Sequence, residues 1–275
     1  EPGDILRNPD LAATFRLIAE KGSDALYRGL VGEAIVEAVN KSGGNMTMQD
    51  LADYNAVMRT PVKGTYRGLE IISMPPPSSG GTHLIEILNI MENYDVKALG
   101  HNTPAYMHTL AEVFKLVFAD RAAYMADADF VKVPVAGLTS KEYAKTLFDQ
   151  IAPDKVLKEL KPGEPENFEH ESTTHLTVID EEGNIVSLTQ TINYFFASGV
   201  MAEGTGLLLN NEMDDFSTNP NSVSAPEPGK RPLSSMSPTI ILKDGKPFMA
   251  LGTPGATRIF PSMAQIIMNV VDFGM

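Results

Sequence analysis

Ser172-Thr173-Thr174-His175-Leu176-Thr177-Val178-Ile179-Asp180 marks an abrupt change of texture. Ahead of it runs Lys161-Pro162-Gly163-Glu164-Pro165-Glu166-Asn167-Phe168-Glu169-His170-Glu171, polar, proline-rich and without apolar periodicity. Behind it, two short strands are predicted on either side of Asp180-Glu181-Glu182-Gly183-Asn184, which is turn chemistry. A threonine opening a strand after a dispensable linker has a particular chemical use. Cleavage of the Ser172–Thr173 bond would leave Thr173 with its hydroxyl and a new α-amine. Such an amine is a weak base near neutral pH, adjacent to the hydroxyl it would activate, which is the threonine/N-terminal-amine pairing of nucleophilic catalysis. The plain alternative is a threonine-rich strand start, since strands favour threonine. This stretch taken alone leaves both readings open.

Composition narrows the field. The 275 residues suffice for a sizeable core in one or two domains. With 22 basic and 35 acidic residues the formal net charge is −13, which argues against nucleic acid or an anionic membrane as a partner. There is no cysteine, so disulfides, thiolate metal sites and cysteine nucleophiles are excluded. No signal peptide and no 18-residue apolar span stand out.

Along the chain, residues 8–60 read as helical, with Leu11, Phe15, Leu17 and Ile18, then Ile35, Val36 and Val39, at helical spacing. Gly43-Gly44 stops one helix and Thr47 is the N-cap expected for the next. Residues 61–74 suit strands, 82–92 a helix, 104–125 a long helix with Pro104 in its first turn, 140–150 a shorter helix, and 151–172 a linker. Short strands are expected at 175–180, 184–193, 206–210, 237–243 and 247–252, and a last helix near 260. Helices, then a dense set of strands, then a helix argue for layered α+β packing.

Several clusters suggest chemistry. On strand 184–193, Ser187, Thr189, Thr191 and Asn193 share one face and Val186, Leu188 and Ile192 the other. The hydroxyl face is either a solvated edge or one that meets partners such as the Thr173 hydroxyl, since burying it unpartnered is costly. Asn210-Asn211-Glu212-Met213-Asp214-Asp215-Phe216 is either a solvated turn or a docking point for a cation. Ser234 and Ser235 offer hydroxyl donors between Pro232 and Pro238, suited to a carboxylate whose full counter-charge comes from elsewhere. Gly252-Thr253-Pro254-Gly255-Ala256 is a tight turn, either plain or with N–H groups aimed at a developing oxyanion. Ala256 keeps its N–H but loses the freedom of glycine at positive φ. Met74-Pro75-Pro76-Pro77-Ser78-Ser79-Gly80-Gly81 lacks a phosphate-loop lysine and reads as a rigid loop before a helix. His83, His101, His108, His170 and His175 make no metal pattern, and His83 with Glu86 reads as helix surface. No metal or cofactor is expected.

Taken together, Thr173-Thr174-His175, Thr191-Ile192-Asn193, Leu208 to Phe216, Arg231-Pro232-Leu233-Ser234-Ser235-Met236-Ser237-Pro238-Thr239, Gly252 to Ala256, Glu1-Pro2-Gly3-Asp4 and Met74 to Gly81 resemble the γ-glutamyltranspeptidase family, collinearly over essentially the whole chain. The resemblance implies the αββα four-layer sandwich of N-terminal nucleophile hydrolases, with a mainly helical N-terminal part. It implies self-cleavage at Ser172–Thr173, dividing residues 1–172, the end of a large subunit, from 173–275, most of a small subunit. In that scheme Thr173 is the nucleophile, Thr191 orients it, and Gly255 and Ala256 form the oxyanion hole, Ala256 standing where the family usually has a second glycine. Asn193 contacts substrate, Glu212 and Asp215 receive its α-ammonium, and Ser234 and Ser235 its α-carboxylate. The arginine that adds positive charge there lies, in the family, before this segment. The short Phe216–Ser234 loop is similar to the lidless branch, implying an open cleft. Implied further are a periplasmic or secreted location, a glutathione-like γ-glutamyl donor, and water or an amino-acid or peptide amine as acceptor. Two alternatives stay open: a segment that folds or binds amino acids without turnover, and an acylase or poly-γ-glutamate hydrolase on the same scaffold. The chain is expected to be an internal segment of a larger precursor.

Overall fold

The computed structural model describes residues 3–157 and 171–275; most of the expected processing linker lies outside the described residues. In chain order the elements are α1 (Pro9–Lys21), α2 (Asp24–Tyr27), α3 (Leu30–Lys41), α4 (Met48–Asp53), β1 (Val62–Tyr66), β2 (Leu69–Ser73), α5 (Gly80–Met91), α6 (Val96–Leu99), α7 (Pro104–Tyr124), α8 (Val135–Leu138) and α9 (Lys141–Phe148). Then follow β3 (Glu171–Ile179), β4 (Ile185–Tyr194), β5 (Met201–Ala202), β6 (Leu207–Leu208), β7 (Thr239–Lys243), β8 (Lys246–Leu251) and α10 (Ile259–Val271).

Helix starts obey local chemistry. Thr47 and Asp50 form a reciprocal capping box on α4. Thr103 caps α7 with Pro104 at its first position, and the Ser140 hydroxyl accepts from Tyr143 N to start α9.

The chain forms two compact units. One comprises the residues up to Met58 together with Ile192–Asn211. Within it α3 packs on β5, β5 pairs antiparallel with β6, and the Thr14 hydroxyl donates to the Thr205 carbonyl at 2.8 Å. These contacts join segments far apart in sequence. The units therefore follow packing, whereas the expected 172/173 division follows a bond whose cleavage is an expectation.

The other unit, Arg59–Thr191 with Glu212–Met275, is built on a four-stranded sheet of order β1-β2-β7-β8, antiparallel throughout. Alternate residues Leu69, Ile71 and Ser73 of β2 are buried, as strand periodicity requires. Ile71 and Ile241 join Leu84, Leu88, Phe260 and Met263 in one core, each such side chain contributing about 1.5–3 kcal/mol of transfer free energy. Helix α5 is buried along its entire length, because α7, α8, α9, α10, β1 and β2 all pack on it.

That packing overturns one expectation. His83 and Glu86 are not helix surface; both are fully buried, 2.5 Å apart. Burial pushes the His83 pKa down to about 3, assisted by the nearby charge of Arg121. Burial also drives Glu86 well above the carboxylate range, with Asp120 adding to the effect. Burial favours the uncharged form of each group, the expected response of side chains denied water.

Strands β3 and β4 form a separate two-stranded sheet. Its turn is closed by Asp180, whose carboxylate accepts from the N–H groups of Glu182 and Asn184. Its apolar side chains Leu176, Val178, Val186 and Leu188 are exposed, while the hydroxyls of Thr173, Ser187, Thr189 and Thr191 are half-buried.

Candidate active site

The hydroxyl face of the β3–β4 hairpin is the inward one. Thr173 Oγ1 donates to Thr191 Oγ1 at 3.2 Å. Two residues along, His175 bonds Thr189 through Nδ1 at 2.8 Å and Thr177 through Nε2 at 3.0 Å. Burial lowers the His175 pKa, so its ring is neutral near pH 7. The Ser187 hydroxyl lies 3.5 Å from the Thr239 carbonyl and 3.4 Å from that of Leu251. Of the two readings of this face, the partnered one holds. Strand β3 also begins at Glu171, so the 172–173 bond lies within a strand and not ahead of one.

The hairpin meets the glycine turn directly. A Cβ on Gly252 would fall 2.2 Å from His175 Nδ1, so the ring rests on glycine backbone. Three residues on, Gly255 has φ 141° and Ala256 φ 37°. Ala256 opens a 3₁₀ turn over Ala256–Arg258 that runs into α10, and Arg258 N donates to the Gly255 carbonyl at 2.7 Å. The turn thus adopts positive φ at both residues although one is alanine. The left-handed region costs a non-glycine residue roughly 1–2 kcal/mol. N–H groups here also approach the N-terminus of α10, where the helix dipole favours negative charge.

The serine pair is held by the proline loop. Ser79 N and Ser79 Oγ both donate to the Ser234 carbonyl at 2.8 Å. Ser78 Oγ donates to the Met236 carbonyl at 2.6 Å, and Ser234 N to the Pro77 carbonyl at 3.2 Å. Gly80 is required by this approach: a Cβ there would sit 2.4 Å from the Ser235 carbonyl oxygen.

One residue beside the pair was not legible in the sequence. Arg121, in the last turn of α7, donates through Nε to Ser79 Oγ at 3.0 Å and through Nη2 to Ser235 Oγ at 3.1 Å. It is half-buried. Burial lowers its pKa to about 10, against which the charge of Asp215 acts, so it remains a cation at neutral pH. Asp215 also helps to raise Glu212, whose pKa reaches about 7 chiefly through burial. Glu212 and Asp215 bound one 3₁₀ turn. Acids and serine pair are therefore coupled electrostatically through Asp215 and Arg121.

Asn193 belongs to the other compact unit. It is buried at φ 76°, a region asparagine tolerates, and its Nδ2 donates to the Asn211 carbonyl at 3.3 Å. Among the described residues no group of three or more His, Asp or Glu is placed to hold a metal ion.

Comparison with known proteins places this constellation. The family model described as gamma-glutamyltranspeptidase matches residues 1–275. The chain belongs to the gamma-glutamyltranspeptidase family. Among gamma-glutamyltranspeptidase relatives, a glutathione hydrolase proenzyme of Escherichia coli (strain K12) is 46% identical over 99% of this chain and 49% of its own length. An acylase ACY 1 proenzyme of Pseudomonas sp. (strain SE83) is 45% identical over 100% of this chain and 49% of its own length. The crystal structure of a cephalosporin acylase from Bacillus halodurans superimposes with a TM-score of 0.88 at 32% identity, covering 99% of this chain and 49% of that one. The fold is accordingly the α+β fold of the N-terminal nucleophile hydrolases. The chain spans about half the length of these relatives.

Proposed function

We propose that the protein is a γ-glutamyl hydrolase/transferase that cleaves itself at Ser172–Thr173 and then uses Thr173 as nucleophile. The observation that carries this reading is the 3.2 Å bond from Thr173 Oγ1 to Thr191 Oγ1, which fixes the hydroxyl of the one threonine that cleavage would turn into a nucleophile–amine pair. In self-cleavage, the Thr173 hydroxyl attacks the Ser172 carbonyl carbon and the C–N bond breaks to leave an ester and a free amine. Water then hydrolyses the ester, releasing a Ser172 carboxylate and restoring the hydroxyl. In turnover, the Thr173 amine takes the hydroxyl proton as oxygen attacks the γ-carbonyl carbon of a glutathione-like donor. The oxyanion is received by the N–H groups of Gly255 and Ala256, a few kcal/mol of stabilisation for such donors. The donor's C–N bond then breaks, its amine leaves with the proton handed on by the Thr173 ammonium, and water or an amino-acid or peptide amine takes the acyl group from Thr173.

In this scheme Thr191 orients the nucleophile, Asn193 contacts the donor, Glu212 and Asp215 receive its α-ammonium, and Ser234 and Ser235 receive its α-carboxylate. Residues 1–172 and 173–275 become parts of the two subunits, and family membership supports a periplasmic or secreted location. The short Phe216–Ser234 loop supports an open cleft. The acylase relative supports a second reading, hydrolysis of an acyl amide without the α-ammonium.

Intact mass and N-terminal sequencing, on protein expressed from its complete reading frame, test the first step. Two fragments are expected, one beginning at Thr173, with Thr173→Ala uncut and inactive. A wild type that stays in one piece would overturn the reading. A γ-glutamyl amide and its des-amino analogue then separate the two activities.

A further inference from the structure

Guanidinium nitrogens donate and cannot accept. Both hydroxyl oxygens bonded to Arg121, Ser79 Oγ and Ser235 Oγ, are therefore acceptors toward it, and each keeps its own proton for another acceptor. Ser79 spends that proton on the Ser234 carbonyl at 2.8 Å, which ties down the main chain of the pair. Ser235 has its proton left to donate, and in the γ-glutamyl reading the acceptor is the substrate. The cation behind it also interacts with Asp215, which in turn acts on Glu212. A positive group and a negative group held as neighbours match a ligand whose ammonium and carboxylate sit on one carbon.

We propose that Arg121 is a positioning residue for donor recognition, orienting the Ser235 hydroxyl toward the substrate α-carboxylate and giving that end of the site its own positive charge. This rests on the γ-glutamyl reading above. It revises the expectation that the charge opposite the carboxylate comes wholly from an arginine other than those of this segment. A lysine could not substitute fully, because a point charge lacks the planar fork that spans two oxygens.

The test uses protein expressed from its complete reading frame, with a γ-glutamyl anilide as donor and the same compound carrying an α-carboxamide in place of the α-carboxylate. Wild type should prefer the carboxylate donor. Arg121→Gln should raise KM for that donor roughly tenfold to a hundredfold, the range of charge-assisted hydrogen bonds, with kcat changed far less and the carboxamide donor little affected. Arg121→Lys should fall between. A merely structural arginine would lower turnover of both donors together, so equal losses on the two, or an unchanged preference, would overturn the proposal. Should Arg121→Gln fail to fold, Arg121→Lys and Ser235→Ala decide the matter. Ser235→Ala should lose the same preference, and adding Arg121→Lys to it should lose little more; independent, additive losses would overturn the coupling. A wild type that turns over neither donor would instead overturn the γ-glutamyl reading itself.

Discussion

Gly252→Ala tests the packing that seats the strand carrying Thr173. Gly252 does not have the positive φ of Gly255, so the whole effect comes from contact. The added Cβ would lie 2.2 Å from His175 Nδ1, 2.3 Å from Cε1 and 2.7 Å from Cγ. To regain van der Waals separation the ring must move by roughly 1 Å, enough to break its bonds to Thr189 and Thr177. Two neutral hydrogen bonds at about 1 kcal/mol each, with overpacking at about 1 kcal/mol, the low end of its range because a side-chain ring can move aside, give an expected loss of about 3 kcal/mol. Denaturant unfolding measures it as a lower midpoint at unchanged slope. The cycle with His175→Ala isolates the cause: with the ring gone, the same glycine substitution should cost under about 1 kcal/mol, a coupling of about 2 kcal/mol. Equal costs in the two backgrounds would refute the contact. Self-cleavage should slow in Gly252→Ala, since the strand that shifts carries Thr173.

Two further outcomes follow from single residues. Ala256→Gly should stabilise the protein by about 0.5–1 kcal/mol, because the left-handed penalty of roughly 1–2 kcal/mol exceeds the roughly 0.4–1 kcal/mol of extra chain entropy that glycine brings to the unfolded state; a lowered melting temperature would count against the φ of 37° at this position. Glu212 is raised from 4.5 to about 7 by burial and by Asp215, so the folded state holds a proton between those values that the unfolded state has released, and stability should fall as pH rises through that window. A donor ammonium favours the ionised form, so KM should drop as pH rises through about 7, and Glu212→Gln should flatten both profiles; a wild-type KM flat from pH 6 to 8, a range of about one unit either side of that value, would refute it.

What was legible in the sequence is what is decided locally. Thr47 and Pro104 fixed helix starts through side chains within reach of their own backbone. The alternation of Ser187, Thr189 and Thr191 against Val186 and Leu188 placed the hydroxyls on one face. Which face turned inward was not legible, because it depends on strands β7 and β8, some fifty residues later in the chain. His83 and Glu86 were misread for a related reason: six elements surround α5, and burial on that scale overrides the polarity of two residues by favouring their uncharged forms. Arg121 gave a signal only for a cation at a helix C-terminus. Its partners, Ser79 and Ser235, stand 42 and 114 positions away, and nothing in its neighbours pointed to them.

The placement of the 172–173 bond inside β3 has a practical corollary. A nucleophile that gained its position only after the cut would need the new terminus to find its seat. Here the ladder and the Thr173–Thr191 bond exist in the uncut chain, so the proposed chemistry can start once the strand has formed, and cleavage becomes a clock for folding. A gel that separates cut from uncut chain would then read the folding yield of variants that leave Thr173 and its contacts unchanged, without a substrate, a dye or a purified enzyme.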